Sequence, residues 1–93
     1  MNVAVLQFRL RIDGCGSLKE KRSIVKSLKD RARRRFNIAI AEVDDHDVWG
    51  SAVLGASSVG VDAASAEGSL RALLKFVEGY RDAELEDHQL EVL

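Results

Sequence analysis

The chain has 93 residues, of which 46% are hydrophobic and 31% charged. That suits one domain with a single core and excludes both a disordered segment and a second lobe closing over a cleft. Met1 runs straight into alternating residues without a leader, no apolar run reaches the roughly 18 residues that span a bilayer, and Cys15 has no intrachain partner, so a cytoplasmic protein without membrane contact is expected. The net charge of −1 conceals a division, because residues 1–36 sum to +8 and residues 37–93 to −9, which predicts a basic element facing one way.

Val3 to Ile12 alternate, with Ala4, Leu6, Phe8, Leu10 and Ile12 on one side and Val3, Val5, Gln7, Arg9 and Arg11 on the other, which predicts a half-buried strand. Asp13, Gly14, Cys15 and Gly16 read as a turn. Ser17 with Glu20 fits a capping box, and a helix is predicted from Leu18 to about Arg35 with Leu18, Ile24, Val25, Leu28 and Ala32 on its apolar face. Phe36 to Val43 and Val48 to Gly60 are predicted as a hairpin about the acidic turn Asp44 to Asp47. Asp62 caps a second predicted helix through about Gly79, its core positions Ala66, Leu70, Leu73 and Val77. Leu85 to Leu93 reads as a polar edge strand.

The order β-α-β-β-α-β predicts one domain over residues 1–93 with a ferredoxin-like α+β fold, in which both helices cover one face of a four-stranded antiparallel sheet. The other face would then show Val5, Gln7, Arg9 and Arg11.

Several segments together resemble the YlxP-like family of small bacterial proteins of unknown function: Gly14-Cys15-Gly16-Ser17-Leu18-Lys19-Glu20-Lys21-Arg22, Arg35-Phe36-Asn37-Ile38, Ala41-Glu42-Val43 and Asp47-Val48-Trp49. The resemblance implies the same fold. It also implies an association with translation, since genes of the family often lie beside those for translation initiation and ribosome maturation. It brings no catalytic residues, and it leaves Glu42 and Asp47 without a role.

The chemistry of the chain is concentrated in cations. Lys19, Arg22, Lys26, Lys29 and Arg33 recur every three or four residues and form a stripe along a helix of roughly 27 Å, with Arg31, Arg34 and Arg35 adding density at its end. A row of cations on a rigid rod can neutralise successive phosphates; an ordinary solvated face is the competing account, and the lack of interspersed acids favours a polyanion. Arg9 and Arg11 could contact phosphate from the open sheet, although cross-strand pairing with the acidic last strand is preferred. Phe8 points inward, which argues against a base-stacking RNA-recognition sheet.

The glycine turn lacks phosphate-loop spacing, Cys15 has no nearby His or Asn to activate it, and the Asp44 to Asp47 turn lacks metal-ligand spacing, so neither catalysis, metal nor cofactor is predicted. Trp49 is expected to pack at the sheet end. The reading favoured is a non-catalytic accessory module that binds structured RNA or a ribosomal particle through its first helix. A protein-interaction module, or a homodimer across Val3 and Val5, comes next, and an enzyme acting on a phosphorylated small molecule third.

Overall fold

The computed structural model describes residues 1–14 and 16–93. Cys15, with the thiol reading attached to it, lies outside the described residues. The elements are β1 (Asn2–Arg11), α1 (Leu18–Arg35), β2 (Ala39–Asp44), β3 (Ser51–Gly60), α2 (Ala63–Glu78) and β4 (Glu84–Val92). The strands form one antiparallel sheet in the order β2-β3-β1-β4, the ferredoxin-like arrangement expected of the element order. α2 lies over β3, β1 and β4, while α1 packs against β2 and α2.

The alternation in β1 sets the layer. Ala4, Leu6, Phe8 and Leu10 are buried beneath the helices, where they meet Val25, Leu28 and Ala32 of α1 and Ala66, Leu70, Leu73 and Val77 of α2. α1 starts where the capping residues place it. The Ser17 hydroxyl accepts from the Glu20 amide at 3.1 Å, and the Glu20 carboxylate accepts from the Gly16 amide at 3.1 Å, one residue earlier than in the standard capping box. Asp62 caps α2 by accepting from the Ser65 amide at 2.8 Å.

Two strand boundaries differ from expectation. Phe36 is the extended C-cap of α1, its amide bonded to Ala32 O, and its ring packs edge-on against Phe76, so β2 begins only at Ala39. Val48 to Gly50 belong to the turn rather than to β3. Trp49 consequently stands 54% exposed instead of packed at the sheet end. At the far end of β3, Gly60 is required by close approach, since a Cβ there would lie 2.6 Å from the Ala66 amide nitrogen.

Candidate nucleic-acid interface

The predicted stripe on α1 is present but broken. Asp30 lies within one turn of both Lys26 and Arg33 and binds each, with Lys26 Nζ at 2.7 Å and the Arg33 guanidinium at 3.4 Å. Arg33 also donates to Ile40 O at 2.8 Å, tying the helix to β2. The hydrogen bond from Lys26 is the main cause that lowers the Asp30 pKa from its ordinary value. The expectation of a stripe without interspersed acids is thus corrected, and the Asp30 spacing of i+4 and i−3 was readable in the sequence. Arg22 comes within only 3.9 Å of Asp47, both largely exposed, a pair of little energetic weight. Lys19, Lys29 and Arg34 have no ion pair among the described residues; Lys19 and Arg34 are exposed and Lys29 is half-buried.

Arg9 and Arg11 separate. Arg11 reaches Glu84 and Glu86 of β4 and Asp13 in the turn just after its own strand, and these carboxylates, Asp13 first, raise its pKa. Arg9 is the register partner of Asp87 in β4 but makes no ion pair with that strand among the described residues. It binds the Asp45 carboxylate at 2.6 Å, which also accepts from Ser51 Oγ at 2.8 Å. The Ser51 hydrogen bond leads the causes that lower the Asp45 pKa, with Arg9 adding to it. Asp45 has a φ of 61°, a left-handed conformation that aspartate tolerates better than most residues. Both arginines are therefore held by acidic side chains, Arg9 by Asp45 of the turn after β2 and Arg11 by Asp13 and by Glu84 of β4.

A further cation sits on the inner face of α1, at a position the predicted apolar face of Leu18, Ile24, Val25, Leu28 and Ala32 did not include. Lys21 is fully buried, preceding Val25, Leu28 and Ala32 on the inner face of α1. Its ammonium donates to Asp45 O and, at 3.4 Å, to His46 O, and lies 2.9 Å from the Glu42 carboxylate, which is 12% exposed. That Glu42 oxygen is close enough for an ion pair yet makes no hydrogen bond among the described residues, so charge rather than directed bonding holds it. The arrangement gives Glu42 a role, clamping α1 to β2 and the acidic turn. The spacing of four, three and four from Lys21 to the core residues was the available signal.

A second group of cations without ion pairs among the described residues lines a cleft of about 760 Å³ between the second halves of α1 and α2. Arg31, Arg35, Lys75 and Arg81 line it, with Asp82 the one acidic residue in its wall among the described residues. The Arg31 guanidinium lies 5.7 Å from the Tyr80 ring centre, and that of Arg35 lies 5.7 Å from both Phe36 and Phe76. Phe76 meets Phe36 and Tyr80 edge-on at 5.8 and 6.0 Å. In the sequence Arg31 and Arg35 read only as added density at the helix end, because what unites them with residues 72–82 is the packing of two helices.

On the open side of the sheet, Val5, Ala41, Val43 and Gly55 line a shallow groove of about 550 Å³ rimmed by Gln7, Gln89 and Glu91. Among the described residues no helix is long and apolar enough to cross a membrane.

These features define a small ferredoxin-like α+β domain with a cationic first helix. The chain belongs to the family described as a protein of unknown function, DUF503, which matches residues 3–90. It is 32% identical over 69 residues to the uncharacterized protein YlxP of Bacillus subtilis (strain 168), covering 74% of this chain and 75% of that one, in agreement with the resemblance seen in the sequence. Among solved structures it is similar to the de novo designed protein Foldit4, with a TM-score of 0.52, 12% identity and 98% and 96% of the two chains covered. It is also similar to SnoaB, a cofactor-independent oxygenase from Streptomyces nogalater, with a TM-score of 0.51, 13% identity and 100% and 92% covered. An amidase of the hydantoinase/carbamoylase family from Burkholderia phymatum matches 99% of this chain with a TM-score of 0.50 and 15% identity, but the match spans 28% of the amidase. At these identities the likeness concerns the fold alone.

Proposed function

We propose that this domain is a non-catalytic accessory module that binds structured RNA, free or within a ribosomal particle, through α1. The observation that carries the reading is that Lys19, Lys29, Arg31, Arg34 and Arg35 share one helix and none makes an ion pair among the described residues, while many of the acids lie on β4 and the β2–β3 turn. A rigid rod of unneutralised cations suits phosphate binding and release of condensed counterions. Lys26 and Arg33 contribute less, since Asp30 already screens them.

The test is replacement of Lys19, Lys29 and Arg34 together by Glu, which leaves the Asp30 and Ile40 contacts intact. Sedimentation with ribosomal subunits and binding to a structured RNA across a salt series should both fall by orders of magnitude. The corresponding Gln replacements should reduce the slope of log affinity against log salt by about 0.7–0.9 per lost contact. A folded triple-Glu variant that still sediments at the wild-type level removes α1 from the interface.

A second reading, self-association of two copies, is favoured by the groove at Val5, Ala41 and Val43 on the open sheet and by the exposed Val59 beside it. Light scattering decides it: an apolar sheet dimer persists at high salt and dissociates when Val5 is replaced by Lys.

A further inference from the structure

We propose that the cleft between the second halves of α1 and α2 is a subsite for one unpaired nucleotide of a bound RNA, its base stacked on the guanidinium planes of Arg31 and Arg35 and its phosphate against Lys75 and Arg81. The proposal rests on the reading of this domain as an RNA binder and specifies which part of an RNA it takes and where.

Charge decides that the ligand is anionic. Arg31, Arg35, Lys75 and Arg81 have no ion pair among the described residues and together supply four positive charges to one cleft. Against them stand Asp82 and the carboxyl-terminal ends of two helices, each equivalent to about half a negative charge. About two positive charges remain, in a cleft whose 760 Å³ falls within the roughly 300–1,000 Å³ of small-ligand sites.

The form of the cleft decides between a bare phosphate and a nucleotide. Each of the two arginines has its guanidinium carbon 5.7 Å from an aromatic ring centre, Arg35 from two, and both side chains are exposed, so guanidinium and ring lie together where a flat partner can reach them. Nucleobases stack on such guanidinium planes and on aromatic faces when they are not already stacked in a helix, and this selects unpaired nucleotides over duplex. The stripe of α1 offers only charge. The cleft adds planes, so it discriminates where the stripe merely attracts.

The test uses the whole chain and a single-stranded RNA of about eight nucleotides with 2-aminopurine at its centre, the same RNA with an abasic centre, and the matching blunt duplex. The expected results are quenching of the 2-aminopurine on binding, about tenfold weaker binding of the abasic RNA, as loss of one stacked base implies, and weaker binding of the duplex. Arg31→Lys with Arg35→Lys should abolish the quenching while leaving the salt slope unchanged, because charge is kept and planarity lost. Lys75→Gln with Arg81→Gln, at exposed side chains, should reduce the slope by about 1.4.

Equal binding of abasic and intact RNA, or an unquenched base, overturns the subsite. So does displacement of the RNA by poly-glutamate as readily as by unlabelled RNA, which would make the cleft a seat for acidic protein, or by micromolar adenosine monophosphate, which would make it a free-nucleotide site. If structured RNA still binds and is lost in the Lys19, Lys29 and Arg34 variant, the subsite falls alone. If no RNA binds, both readings fall.

Discussion

Replacing Lys21 by Met keeps most of the length of the side chain and removes its charge from the centre of the fold. Lys21 is fully buried and Glu42 nearly so, and the ammonium also serves the carbonyls of Asp45 and His46. The variant strands a carboxylate and two backbone acceptors at the junction of α1, β2 and the acidic turn. Breaking a buried pair from one side costs about 3–5 kcal/mol, a large share of the ~5–15 kcal/mol that stabilises a domain. At about 4–8 °C per kcal/mol for a domain of this size, Tm should fall by at least ~12 °C. Removing the stranded carboxylate as well, in Lys21→Met with Glu42→Leu, should restore at least about 1 kcal/mol of that loss, since an apolar replacement of both partners is often tolerated. Urea denaturation followed by circular dichroism measures wild type, the single variants Lys21→Met and Glu42→Leu, and the double variant. A single variant within about 0.5 kcal/mol of wild type, or a double variant no better than the sum of the singles, would refute the account of Lys21 as the clamp.

Gly60→Ala should destabilise by about 1–3 kcal/mol through overpacking, because the new methyl meets the backbone at Ala66. Gly68→Ala, whose Cβ meets nothing, should stabilise α2 slightly, and thermal melts of the two variants compare them directly. Acid should weaken the fold in a defined direction. Asp30, Asp45 and Asp62 all titrate below the ordinary value of 3.8, through hydrogen bonds chiefly from Lys26, Ser51 and the Ser65 amide respectively. Their folded pKa values are lowered, so the unfolded chain takes up protons first, and the stability they contribute is complete above pH 3.8 and lost as pH falls through their folded values. Asp45→Asn should flatten that acid limb in a denaturant series, and an unchanged limb would show that Asp45 does not carry it.

The secondary structure was legible in the sequence because it is decided locally. The period of two in Val3 to Ile12 and the helical spacing in α1 and α2, with Ser17 and Asp62 as caps, need no knowledge of neighbours. The break in the basic stripe was legible for the same reason, as Asp30 is within a turn of Lys26 and Arg33. What only the tertiary structure decided are meetings across the chain. Sheet register brings Arg9 to Asp45 across 36 positions, and the seat of α1 on β2 brings Lys21 to Glu42. Helix packing sets Arg31 and Arg35 against rings drawn partly from residues 76–80. Such contacts depend on where rigid elements come to rest on one another. A charged residue at a core position or a surplus of arginine at a helix end signals in the sequence that a partner exists, but its identity is fixed only when burial of the shared apolar faces brings the elements together.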